Sequence, residues 1–443
     1  MSDIIIRKTG GDACATPENV AKTLHIIRSY KGLQCIVPSA SGHLTNRELR
    51  TTSLLRQWHQ VGQARLSNAC REIRALVENH HLEIVRHNNI TIDLSDEFET
   101  IAEMIDRGAS LAYAEHCGEL LIGQILAAGT GFRLVDPATF LCVDEHRRYR
   151  EEHSSVAQAL AGGSSVSPGY YGHNLAGEIQ LLPENGTDIS AAIIAKELRA
   201  KRYENWKRVI GITVADPRII PDSPTIDMLT FKEMHQLSTN GTQAIHPKAV
   251  QIAEEGGVPI NVRSYEHPDE QGTLIVPNDT EFEHKGIVTA ISGRTDCTDF
   301  YIEKPGIDEE IGFYRDVFGV FADNGVSIAR VMDDDDSIGV IVENGHLGKK
   351  EERDEMLRAL AKNIEMRCET KPVIHSDISI IGTIGRKMAG TRRVLERIAR
   401  AVADANINIE VAGQNKAQTN VMVGVTQARH DDAIRAIYRE FMG

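Results

Sequence analysis

The sequence predicts an α/β domain with a largely parallel sheet, followed by two small α+β units. Three observations carry this reading. An apolar strand over residues 4–7, a glycine loop, a helix and a second strand over 33–38 open the chain, the order that builds a parallel sheet flanked by helices. The segment Ala322-Asp323-Asn324-Gly325-Val326-Ser327-Ile328 returns as Ala403-Asp404-Ala405-Asn406-Ile407-Asn408-Ile409, offset by 81 residues. Each copy follows an amphipathic helix and precedes a strand (339–342, then 420–423) and a further helix (350–363, then 431–441), which marks a duplicated unit of strand-helix-strand-strand-helix order with a possible final strand.

The first helix is expected to open at Thr16-Pro17, a capping hydroxyl before proline at the first helical position, and to run to Ser29. Residues 48–130 read as mostly helical. Residues 209–214 and 258–263 read as strands, and 189–199 as a helix. The polar turn Pro277-Asn278-Asp279-Thr280 places a boundary, giving domains over 1–280, 281–372 and 373–443.

Composition narrows the function. At 443 residues the chain is too long for one core. A net charge of −14 argues against nucleic acid, since phosphate binding needs clustered lysine and arginine. No apolar run is long enough for a membrane span. Met1-Ser2-Asp3 lacks the basic start of a signal peptide. The cysteines at 14, 35, 70, 117, 142, 297 and 368 are odd in number and contain no Cys-x-x-Cys, which fits a reducing cytoplasm and gives no zinc site. The run Asp333 to Asp336 reads as a solvated loop.

Four stretches carry a resemblance: Lys8-Thr9-Gly10-Gly11; Val37-Pro38-Ser39-Ala40-Ser41-Gly42-His43-Leu44-Thr45-Asn46; Ala215-Asp216-Pro217-Arg218-Ile219-Ile220-Pro221-Asp222; and Ala244-Ile245-His246-Pro247-Lys248-Ala249-Val250 with Gly272-Thr273-Leu274-Ile275 downstream. In this order, ahead of the repeats, they resemble the aspartokinase family. That resemblance covers nearly the whole chain. It implies an amino-acid kinase fold followed by tandem ACT-type (βαββαβ) domains. It also implies transfer of the γ-phosphate of ATP, with Mg²⁺, to the side-chain carboxylate of aspartate.

For such a transfer, positioning and charge neutralisation carry the rate. Lys8 and Asp188 are the expected catalytic residues, with Lys8 countering the charge of two anions brought together. Gly10 and Gly11 let the backbone approach phosphate oxygens. The resemblance adds Asp216 and Arg218 to the nucleotide site. It assigns Ser39, Thr45, Glu115 and Thr187 to substrate, with Glu115 on the substrate's ammonium group. No metal-ligating set is expected from the chain itself. Asp323 and Asn324, at a helix-to-strand turn, are expected to hold an amino-acid effector, and the ACT-like region to join a homodimer or larger homo-oligomer.

The sequence also departs from the family. Asp12-Ala13 stands for Thr-Ser, Glu184 for the loop arginine that grips the substrate carboxylate, and His116 for a second arginine. Lys207-Arg208-Val209-Ile210 replaces the nucleotide-facing Thr-Asp-Val-Asp, and Gln243 replaces a lysine. Beside aspartate kinase, a kinase for another small carboxylate acceptor and a non-catalytic amino-acid sensor therefore stay open.

Overall fold

The computed structural model describes residues 3–43, 45–242, 244–283 and 286–443. Leu44 and Gln243 of the motifs lie outside the described residues, as do Met1 and Ser2. The chain divides into two compact units: residues 1–212, 225–235 and 243–281 form the first, and 213–224, 236–242 and 282–443 the second.

Unit 1 begins with β1 (Ile5–Thr9), α1 (Pro17–Ser29) and β2 (Gln34–Pro38). Thr16 caps α1 by accepting from Asn19 N–H, as the Thr-Pro pair predicts. The helical stretch resolves into α2 (Thr51–Gln63), α3 (Ser67–His87), α4 (Ser95–Asp106) and α5 (Leu111–Thr130). Short elements follow: β3 (Arg133–Leu134), α6 (Val156–Ala159), β4 (Ser165–Val166), β5 (Tyr171–His173) and β6 (Ile179–Leu181). Next come α7 (Gly186–Glu197), β7 (Arg202–Lys207), β8 (Met228–Thr230), α8 (Phe231–Thr239), α9 (Pro247–Glu255), β9 (Ile260–Ser264) and β10 (Thr273–Val276).

The main sheet has the order β3-β4-β2-β1-β7-β9-β10-β8. All neighbours are parallel except β9 and β10. Helices α1 to α5 share one apolar cluster with Ile36 and Val166. Helix α7 packs on β1 and β7.

The strand expected at 209–214 is not formed; the sheet takes residues 202–207 instead. Gly211 lies so close to Thr273 that a Cβ would stand 2.5 Å from its Oγ1, and Ile212 N–H bonds that hydroxyl rather than a neighbouring strand. The real strand was masked by charge. Its Glu204 is fully buried, but it is paired with Arg7 and Arg202 and accepts from Trp206 Nε1. A carboxylate enters a core when it is paired in this way.

Unit 2 carries β11 (Ala290–Glu303), α10 (Phe313–Asp323), β12 (Ile328–Asp334), β13 (Ser337–Glu343) and α11 (Lys350–Cys368). The second repeat is β14 (Val373–Ile384), α12 (Val394–Asp404), β15 (Val411–Gln414), β16 (Asn420–Thr426) and α13 (His430–Met442). One antiparallel sheet, β12-β13-β11-β14-β16-β15, runs through both repeats, joined where β11 pairs with β14. Helices α10 and α11 pack on Phe300, Ile302 and Val340, and α12 and α13 on Ile381, Val421 and Val423. The acidic run forms the β12–β13 turn.

Candidate active site

Parallel strands end together, so the loops leaving β1, β2 and β7 converge, and ligands of open α/β sheets sit at that edge. Two glycine turns meet there. Ser39 N–H donates to Thr9 O at 3.0 Å and Gly42 N–H to Gly11 O at 2.9 Å. A Cβ on Gly42 would stand 2.8 Å from the Gly11 carbonyl carbon. Only hydrogen fits, and that closeness leaves the glycine backbone open to a ligand.

Lys8 and Asn205 are register partners on β1 and β7, so both point to the face covered by α7. There they meet Asp188. Lys8 Nζ lies 3.0 Å from Asp188 Oδ1, to which Asn205 Nδ2 also donates at 3.0 Å. The backbone N–H of His246 donates to Oδ2 at 3.1 Å. Helix α7 begins at Gly186 after a left-handed Asn185, which leaves Asp188 inside its first turn. A carboxylate there gains from the helix dipole. Burial alone would raise its pKa. The ammonium groups of Lys8 and Lys207 and the His246 N–H outweigh burial and hold the carboxyl well below the carboxylate range.

Lys207, the last residue of β7, brings a second cation that sequence reasoning did not assign to the site. Its ammonium donates to Ala244 O. Burial lowers its pKa, Asp188 opposes that, and Lys8 adds to it.

Glu115 is buried on α5. Its carboxylate accepts from Arg56 Nε at 2.8 Å and from the Tyr170 hydroxyl at 3.1 Å. Arg56 reaches it from α2 and stays half-exposed, within the field of Glu184. Glu184 itself is exposed on the turn before α7. A guanidinium thus stands beside both carboxylates although the loop arginine is absent. No local motif on α2 announces it. One turn beyond Glu115, Glu119 is buried with Oε2 unpartnered. Burial pushes its carboxyl up to about 8, the Ala40 N–H and Lys8 working against that.

The remaining expected residues fall as follows. Thr187 is buried with its methyl group against Gly169, while Ser39 is half-buried. Thr45 is exposed, its N–H turned to His43 Nδ1. Asp12 is half-buried in the turn after Gly11. Arg208 is exposed beside Glu266. His116 does not stand in for an arginine: it is buried between the Tyr113 and Tyr171 rings, and burial lowers its pKa. Asp216 and Arg218 belong to unit 2, where they pair with each other. In unit 2, Asn324 Nδ2 bonds Val320 O and Asp323 pairs with Arg367, beside a groove also lined by Asn363 and Met366. Among the described residues no group of three or more His, Cys, Asp or Glu side chains is placed to hold a metal. Among the described residues no helix is long and apolar enough to cross a membrane.

Residues 381–441 match the ACT domain profile. Aspartokinase 3 of Bacillus subtilis is 26% identical over 455 residues, covering 98% of each chain. The structure of Clostridium acetobutylicum aspartate kinase superposes with a TM-score of 0.85 at 29% identity, covering 99% of this chain and 100% of that one. E. coli aspartokinase III, solved with aspartate and ADP, superposes with a TM-score of 0.77 at 18% identity over 99% of each, which speaks for the fold alone. The profile of the amino acid kinase family matches residues 3–264, more than half of the sequence, and the chain therefore belongs to the amino acid kinase family.

Proposed function

We propose that this protein is an aspartate kinase: it transfers the γ-phosphate of ATP to the side-chain carboxylate of aspartate, giving 4-phosphoaspartate, under amino-acid control through its ACT region. The observation that carries this reading is the buried Lys8–Asp188 pair at the end of β1, next to the Gly10-Gly11 and Gly42 turns. The full-length likeness to aspartokinases supports it.

In this reading the glycine backbone receives the phosphates. Lys8 neutralises the charge that builds as two anions meet, and Asp188, anchored by Asn205 and His246 N–H, holds the lysine in place. Lys207 adds positive charge beside Asp188. Mg²⁺ binds through one or two carboxylates plus substrate phosphates; Asp12, beside the glycine turn, would be the carboxylate to hold it, and the ion would neutralise phosphate charge there. Asp216 and Arg218 are assigned to nucleotide by resemblance alone. Glu115 takes the substrate ammonium. Arg56, turning from Glu115, takes the α-carboxylate in place of the missing loop arginine, with Ser39, Thr45 and Thr187 lining the pocket. Asp323 and Asn324 take the effector, and the chain pairs with a second copy through the ACT region.

One observation favours a second reading. Glu184 adds negative charge near the substrate side, which suits an acceptor with more cationic character than aspartate. ADP release with aspartate against a panel of other amino acids separates the two. A rate at least about tenfold above the panel with aspartate supports the first reading. A faster rate with another acceptor replaces it with the second.

A further inference from the structure

Helices α10 to α13 pack on one face of the sheet of unit 2, through Phe300, Ile302 and Val340 in one repeat and Ile381, Val421 and Val423 in the other. The side chains out of phase with these point to the helix-free face. There Cys297, Ile341, Ile378, Ile380 and Met422 form a separate buried cluster, covered by Met332 of β12 and Val411 of β15. Strands β12 and β15 are the two outer strands of the sheet. A Cβ on Gly413 of β15 would nonetheless stand 3.2 Å from Met332 Cε of β12. The sheet is therefore rolled until its edges meet over the helix-free face.

Beside that apolar cluster the rolled sheet walls a cavity of about 430 Å³, within the range of small-molecule pockets. Among the described residues its charged lining is one-sided: Asp299, Asp333, Asp334, Asp377 and Glu410 stand against His375, with no lysine or arginine. Its apolar wall is Tyr301, Met332, Ile378 and Val411. The acids alone would signify little. The decisive group is Asp299, which is 6% exposed and whose Oδ1 has no hydrogen-bond partner. His375 is its register partner on β14. Gly339 of β13 keeps the carboxylate uncovered, since a Cβ there would stand 3.1 Å from Oδ1. Burial raises the Asp299 pKa, with only His375 opposing it. A buried carboxylate without a partner is costly, and an entering ammonium group removes that cost through a charge-assisted hydrogen bond. A hard divalent cation does not suit the site, because it needs several oxygens at once and no such cluster stands among the described residues. An amino-acid zwitterion suits it less than a plain amine, because among the described residues no lysine or arginine lines the cavity to receive an α-carboxylate.

We infer that the rolled sheet of unit 2 binds a small organic amine without a carboxylate, its ammonium group on Asp299 and its methylene body along Met332, Ile378 and Val411. This site is separate from the Asp323–Asn324 groove, and it does not depend on the kinase reading. The test is calorimetric titration of the full-length chain with 1,5-diaminopentane, repeated on Asp299→Asn and on Gly339→Ala. The expected result is saturable binding to the wild-type chain, weakened at least about tenfold by Asp299→Asn, or about 1.4 kcal/mol. Gly339→Ala, which crowds the same carboxylate while keeping it, gives a second reading should the asparagine variant fail to fold, and is expected to weaken binding likewise. Three results would overturn the inference: no saturable heat with wild type, wild-type affinity retained in both variants, or displacement of the diamine by Mg²⁺ at matched concentration.

Discussion

Lys8 Nζ and Asp188 Oδ1 stand 3.0 Å apart, one at the end of β1 and the other in the first turn of α7. The pair is nearly closed to solvent, and a second lysine, Lys207, shares the carboxylate's field. Two cations around one anchored anion leave net positive charge at the mouth of the glycine turns, where a transferring phosphoryl group needs it.

Replacing Lys8 with alanine is therefore expected to lower kcat by on the order of a hundredfold or more, the scale for loss of one preorganised charge donor. Circular dichroism should show the fold retained.

Asp188→Asn is expected to act on stability as well as rate. It leaves Lys8 and Lys207 facing each other without the carboxylate, and breaking a buried pair costs about 3–5 kcal/mol. In the wild-type chain the depressed Asp188 pKa stabilises the fold above the unfolded-state value of about 3.9. That contribution is lost as pH falls through the lower folded-state value. Urea titrations from pH 7 down to 3 should show the variant losing less stability on acidification than the wild type.

Glu119 predicts the opposite slope. Its folded-state pKa is raised to about 8, so its contribution is fully present below the unfolded-state value and fades as pH climbs through 8. Melting temperature should fall across about pH 4.5 to 8, the window between the two pKa values, and Glu119→Gln should flatten that fall.

Arg56→Ala is expected to raise KM for the amino-acid substrate by about tenfold or more while changing kcat little, because a half-exposed guanidinium that only holds substrate contributes uniform binding. Arg56→Lys should recover only part, since a point charge lacks the planar fork that fits a carboxylate. A KM unaffected by either change would remove Arg56 from the substrate site.

Gly42→Ala is expected to disrupt the meeting of the two turns, since its Cβ would contact backbone rather than a movable side chain. KM for ATP should rise, and KM for the amino acid should rise less.

Much of this was legible because it is written locally. Thr16-Pro17 announces α1, the glycine pairs announce the turns, and the repeated Ala-Asp segment announces the duplicated unit. The motif residues Lys8 and Asp188 do meet. What stayed hidden depends on residues far apart in sequence. Strand β7 escaped because Arg202, Glu204 and Lys207 interrupt its apolar pattern, and the burial of Glu204 and Lys207 becomes tolerable through Arg7 and Asp188 on other elements. Arg56 and Glu119 carry no signature on their helices; their meaning comes from facing Glu115 and Ala40. Nor does alternation along six strands reveal that the outer two curl together over Asp299.

Trapping the product tests for phosphoryl transfer to aspartate. Full-length protein with ATP, Mg²⁺, aspartate and hydroxylamine should form aspartyl hydroxamate in proportion to enzyme, and the Lys8→Ala protein should form far less. Hydroxamate no greater than that of the Lys8→Ala control, from protein that is folded and saturated with ATP, would contradict the account.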